Sequence, residues 1–240
     1  MTLYGKLNAV YRALPEPARR WANEGAPQPV RRLRRRVVAR LERSAKPDEL
    51  YNRHYYERVV DPIMLASADT IAASIQRELH PQSVIDVGCG TGALMLALAR
   101  LGIRCFGFDQ AEAALEHCRG RGLNVARLEI VRDPLPTERA DVAVSTEVAE
   151  HLPESASDRF VELLTTLAPT VVMTAALPGT GGKDHTNEQP SEYWITRFAG
   201  RGFAHDRALS NRLREEWRAA GVDPVYFKSL LVFRVAHAGS

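Results

Sequence analysis

A chain of 240 residues with 45% hydrophobic and 25% charged residues can bury one good core with an appendage, in the composition range of ordinary soluble globular proteins. No apolar run reaches the ~20 residues that span a bilayer, the start mixes charges and prolines where a signal peptide is apolar, and three cysteines without metal-like spacing point to reduced thiols in a cytoplasm. The net charge of +3 is uneven: residues 1–47 hold twelve Lys/Arg against three Glu, or +9, which leaves −6 for residues 48–240 and disfavours nucleic acid as a partner of the main domain.

In chain order, Pro15, Pro17, Pro27 and Pro29 break the first thirty residues into short pieces. Pro29 suits the first position of a helix, after which Val30, Leu33, Val37, Val38 and Leu41 fall on one stripe. Arg31, Arg32, Arg34, Arg35, Arg36, Arg40 and Arg43 occupy the rest of its surface. The favoured reading is a solvated helix docked on its own domain or on a twin, as in a homodimer. Peripheral contact of residues 30–43 with an anionic membrane or an acidic partner competes with it. The expected organisation is a basic helical extension over 1–47 and a main domain over 48–240.

Tyr51, Tyr55 and Tyr56 precede a helix expected over 62–79. Strands are then expected at 83–87, 104–108, 124–130, 141–145, 170–177 and 230–235, with 223–227 as a candidate for another. Helices are expected over 93–101, 111–119, 156–167, 193–199 and 209–220. Such alternation is the signature of a doubly wound α/β sheet.

The most informative run is Val84-Ile85-Asp86-Val87-Gly88-Cys89-Gly90-Thr91-Gly92. A buried parallel strand ends in three alternating glycines, and Ala93-Leu94-Met95-Leu96-Ala97-Leu98-Ala99-Arg100 then opens a helix whose amino end presents N–H groups to a polar ligand. Gly88-x-Gly90-x-x-Ala93 also satisfies the dinucleotide fingerprint, but Asp86 would repel a pyrophosphate and could instead orient an ammonium. The acid followed by G-x-G-x-G resembles the first motif of the class I S-adenosylmethionine-dependent methyltransferases. The second strand ends in Asp109 and Gln110, 23 residues after Asp86. A carboxylate there matches the two hydroxyls of a ribose. Glu147-Val148-Ala149-Glu150-His151-Leu152 is similar to an E-V-x-E-H-L pattern that follows the fourth strand in many members of the same family.

The resemblance covers roughly residues 50–235. It implies the Rossmann-like class I methyltransferase fold, a mostly parallel seven-stranded sheet with helices on both faces and the last strand antiparallel. S-adenosylmethionine is the implied cofactor. Its site would comprise Asp86, Gly88, Cys89, Gly90 and Gly92, with Asp109 and Gln110 at the ribose and Glu129 and Ile130 at the adenine, where Asp133 competes with Glu129. Ser145, Thr146 and Glu147 would run beneath it, and Tyr51 and Tyr56 would close over it. Nothing in the sequence calls for a metal.

The acceptor side is read from 178–190, where Pro178 and three glycines suggest a mobile loop. Its His185-x-Asn187-x-x-Pro190, followed by Tyr193-Trp194, is similar to a stretch in a subset of bacterial small-molecule methyltransferases. His185 and His151 are candidates to take the acceptor's proton, an imidazole titrating near neutrality. Asn187, Glu188 and Tyr193 are candidates to bind the acceptor. The function expected is methyl transfer to an oxygen, less readily a nitrogen, of a small polar metabolite such as a natural product or sugar. A modifier of protein or RNA recruited by the basic helix, a nicotinamide-dependent oxidoreductase and a non-catalytic cofactor binder are the alternatives.

Overall fold

Apolar runs of five residues, each bounded by turn-forming residues, pair side by side because their backbones can satisfy one another while their side chains leave water on both faces. The computed structural model describes residues 61–182 and 184–236, with Pro15, Pro17 and Ala18. The basic helix expected around 30–43, the boundary at 47/48 and Tyr51, Tyr55 and Tyr56 lie outside the described residues.

Helix α1 (Asp61–Leu79) leads into β1 (Ser83–Val87), α2 (Ala93–Arg100), β2 (Arg104–Asp109), α3 (Glu112–Gly120) and β3 (Val125–Arg127). The second half runs β4 (Val142–Thr146), α4 (Ser157–Leu167), β5 (Thr170–Thr174), α5 (Ser191–Ala199), β6 (Phe203–His205), α6 (Arg207–Ala219), α7 (Pro224–Phe227) and β7 (Leu231–Val235). The strands form one seven-stranded sheet in the order β3-β2-β1-β4-β5-β7-β6. Strands β1 to β5 pair in parallel, whereas β7 runs antiparallel to both β5 and β6.

Strand periodicity divides the core. Ile85, Val87, Ala143, Val171, Met173 and Phe233 face α4 and α5, joining Phe160, Leu164, Trp194 and Phe198. Their alternates Val84, Val142, Val144, Val172 and Val232 face α1, α2 and α6, joining Ile71, Ile75, Leu94, Leu98, Leu213 and Trp217. Burying each of the larger of these side chains is worth about 1.5–3 kcal/mol. The expected helices on both faces and the reversed last strand are present.

Several boundaries differ from expectation. Residues 223–227 form no strand: Pro224 has no N–H for a ladder and opens α7 instead, capped by Asp223, whose carboxylate accepts the Val225 N–H at 3.0 Å. Strand β3 stops at Arg127, so Glu129 and Ile130 sit in the following turn, where the Asp133 carboxylate accepts the Glu129 N–H at 2.7 Å. Strand β5 stops at Thr174, because the next N–H, that of Ala175, turns to Ser229 Oγ at 3.1 Å. The short edge strand β6 has too few residues for a legible alternation.

Candidate active site

The carboxyl ends of β1, β2 and β4 open into a cavity of about 300 Å³, the crevice position where open α/β sheets bind ligands. Gly88, in the left-handed region at φ +79°, begins its floor, and a Cβ there would drive into Val148 on the neighbouring turn. Three N–H groups of this turn are engaged by strand β2. Those of Gly88 and Cys89 donate to the Phe108 carbonyl at 2.7 and 3.0 Å, and that of Gly90 donates to Asp109 Oδ2 at 2.9 Å. Strand β2 thus clamps the turn in shape, and the ligand meets its surface. Gly92 caps α2 and Ser145 Oγ donates to the Val87 carbonyl at 2.8 Å, so both support the site from outside the cavity lining.

Asp86, Gly88, Cys89, Gly90, Asp109, Gln110, Glu129, Ile130, Thr146 and Glu147 do line this one cavity. Asp86 is 4% exposed; burial, and then the Asp109 charge, push its carboxyl up to about 7. Burial likewise raises Asp109, opposed by backbone N–H groups of Ala111, Gly90 and Gln110. Each Asp109 oxygen already accepts one of these at 2.9 Å, from Gly90 and from Ala111. Each oxygen keeps a second lone pair for a hydroxyl. Phe108, Leu128, Ile130 and Val131 give the adjoining wall an apolar face. Cys89 is a buried thiol pushed up by its contact with Cys118 and by desolvation, which leaves it an inert small side chain.

The end of β4 carries the site's strained backbone. Glu147 adopts φ +56°, rare for a residue with a Cβ. Thr174 holds it there: its Oγ1 accepts the Glu147 N–H at 3.1 Å and donates to Glu147 Oε1 at 2.8 Å. The chain then enters a single 3₁₀ turn, Ala149–His151. Glu150 is fully buried; desolvation and the Glu147 carboxylate hold its carboxyl well above the usual range.

The loop containing His185 is tied to that turn. The N–H groups of Thr186 and Asn187 both donate to the Glu150 carbonyl, at 2.8 and 3.1 Å, and Thr186 Oγ1 donates to the Leu152 carbonyl at 3.1 Å. His151 and His185 are thereby brought edge to face, ring centroids 5.0 Å apart at 81°, and both line the cavity. Asn187 is 2% exposed and its Nδ2 donates to Ser157 Oγ at 3.1 Å; the Tyr193 hydroxyl donates to the same oxygen at 3.0 Å. Glu188 accepts from the Gly179 and Gly181 N–H groups at 2.8 and 2.6 Å and pairs with His185 Nδ1 at 2.9 Å. Asn187, Glu188 and Tyr193 therefore lie outside the cavity lining and shape the loop that presents His185. Sequence reasoning passed over Glu150 as a site residue, together with Ile63, Met64, Val225 and Tyr226 at the rim; for Glu150 the signal was the Glu-x-x-Glu-His spacing.

Residues 85–173, from β1 through β5, match the family of methyltransferase domains. A ubiquinone biosynthesis O-methyltransferase of Methylococcus capsulatus is 40% identical over 86 residues, 33% of this chain and 36% of that protein. The match thus spans about a third of that relative's length. The protein of the same name from Cereibacter sphaeroides is 28% identical over 178 residues, 68% of this chain and 71% of the relative. Residues 85–173 of the chain carry a methyltransferase domain. The solved structure of the plantazolicin methyltransferase BpumL in complex with SAH shares the fold, with a TM-score of 0.55 at 16% identity over 86% of this chain and 98% of that one. The cofactor of this methyltransferase family fits the donor set of the cavity. Asp86 suits the ammonium end, the paired oxygens of Asp109 suit a ribose diol, and the Phe108–Leu128–Ile130 wall suits an adenine ring.

Proposed function

We propose that the protein transfers a methyl group from S-adenosylmethionine to an oxygen, in preference to a nitrogen, of a small polar metabolite. The observation that carries this reading is the convergence of Asp86, Asp109 and the pair His151/His185 on one cavity. Its volume of about 300 Å³ suits small ligands rather than a macromolecular surface. The names of the relatives, O-methyltransferases of ubiquinone biosynthesis, support oxygen as the receiving atom. The bound cofactor supplies a methyl that is already electrophilic on its sulfonium, so the protein's task is alignment. Asp86 and Asp109 fix the two ends of the donor, while the imidazoles of His151 and His185 hold the acceptor's hydroxyl at the other side. In this reading residues 48–240 carry the chemistry and residues 1–47 are a basic extension.

The test pairs binding with turnover. S-adenosylhomocysteine at 100 times its Kd is expected to stabilise the full chain by about 2.7 kcal/mol in thermal unfolding, and NAD by nothing. Labelled methyl from S-adenosylmethionine is then expected in small hydroxylated acceptors. Stabilisation by NAD alone overturns the reading.

A further inference from the structure

At the acceptor end of the cavity, Glu150, His151 and His185 each bring one ligand-type atom within 4.8 Å of the other two. Glu150 is 0% exposed, and its carboxylate oxygens make no well-formed hydrogen bond, their polar neighbours being the Glu147 carboxylate and the backbone N–H groups of Glu150 and Ala176. A carboxylate so deep needs a cation or a proton to be tolerated. Among the described residues no Lys or Arg lines the cavity, and Glu147 sets a second carboxylate beside Glu150. The histidines are built as ligands are built. His185 Nδ1 pairs with Glu188 at 2.9 Å, and His151 Nδ1 lies 3.4 Å from the Asp184 carbonyl. A carboxylate or carbonyl behind the imidazole is the outer support that metal-binding histidines commonly have.

We propose that Glu150, His151 and His185 bind one divalent transition-metal ion, whose remaining coordination positions hold the acceptor oxygen that receives the methyl. Two imidazoles and one carboxylate suit zinc, cobalt, manganese or iron(II), whereas magnesium and calcium prefer all-oxygen sets. Three protein ligands leave positions open, as sites that engage a substrate require. The two histidines then share one task, holding the ion, which acidifies the bound hydroxyl so that its proton passes to water; the oxygen's lone pair forms the O–CH3 bond as the sulfonium S–CH3 bond breaks and S-adenosylhomocysteine leaves. Glu188 is a positioning residue, and Gly182, whose Cβ would collide with the His185 ring, leaves room for that ring. The acceptor's place on the ion rests on the methyltransferase reading; the ion's binding does not.

The experiment titrates Co²⁺ into the tag-free, chelator-stripped full chain and follows its visible ligand-field absorption, with S-adenosylhomocysteine binding measured in parallel. One ion per chain is expected, without the near-ultraviolet charge-transfer band that Cys89 or Cys118 thiolates would add. Glu150→Gln and His185→Gln are expected to weaken Co²⁺ by about 10- to 100-fold or more while still binding S-adenosylhomocysteine, which shows the variants folded. Occupancy far below one ion, a thiolate band, or Co²⁺ affinity unchanged in both folded variants overturns the site. If the wild-type chain binds Co²⁺ with this ligand dependence but not S-adenosylhomocysteine, the site stands and the methyltransferase reading falls.

Discussion

Replacing Asp86 by Asn separates what this carboxyl does for the fold from what it does for the cofactor. Burial, and then the Asp109 charge, raise its pKa from 3.8 to about 7 in the folded protein. The folded state therefore holds a proton that the unfolded chain has already released between about pH 4 and pH 7. Stability contributed by this group is complete below that window and is lost as pH rises through it. Roughly three pK units at about 1.4 kcal/mol each put the loss at about 4 kcal/mol at most. Asparagine has nearly the same shape and no charge to desolvate. In urea unfolding of the ligand-free chain, Asp86→Asn should match wild type near about pH 4 and exceed it by up to about 4 kcal/mol at about pH 8. Calorimetry with S-adenosylhomocysteine should move the other way, by about 10- to 100-fold, because a charge-assisted contact of about 1.5–3 kcal/mol is gone. A stability difference that does not change with pH would refute the reasoning.

Two further substitutions probe the other ends of the cavity. Asp109→Ala orphans the Gly90 and Ala111 N–H groups and should cost about 1–3 kcal/mol in chemical unfolding. It should also weaken S-adenosylhomocysteine by about 100-fold, two charge-assisted contacts being lost; retained affinity would remove the ribose assignment. Gly182→Ala forces a Cβ against the His185 imidazole. Turnover should fall by about tenfold or more with S-adenosylhomocysteine affinity unchanged, since a displacement of about 1 Å at a reacting group is costly; equal turnover would show that the His185 ring position is not critical.

What could be read from the sequence is what depends on local chemistry. The buried run of β1, the acid two residues before Gly88 and the acid at the end of β2 each announce themselves, because strand burial and glycine turns are properties of neighbouring residues. The reversed β7 was legible only through resemblance. The three-residue β6 was not legible, and 223–227 reads as a strand until Pro224 is weighed as a helix starter. The commitment of the Gly88 and Cys89 N–H groups to Phe108 could not be foreseen, since it depends on the register of β1 against β2. The meeting of Glu150 with His185 is likewise tertiary. Asn187 and Glu188 carry polar groups suited to an acceptor, and only the packed loop reveals that Ser157 and the Gly179–Gly181 backbone have claimed them.

The carbonyl of Glu150 receives both Thr186 and Asn187, and the Leu152 carbonyl receives Thr186 Oγ1, so the donor half and the acceptor half of the cavity are joined through the strand-four turn. Lengthening or shortening the 178–190 loop would therefore retune the strand-four turn as well as the acceptor wall. Changes of substrate in this lineage should accordingly arrive as coupled substitutions on both segments, with interaction energies of about 0.5–3 kcal/mol rather than independent increments. A graft of the loop alone from another methyltransferase would bring in a new wall without the hinge on which it swings.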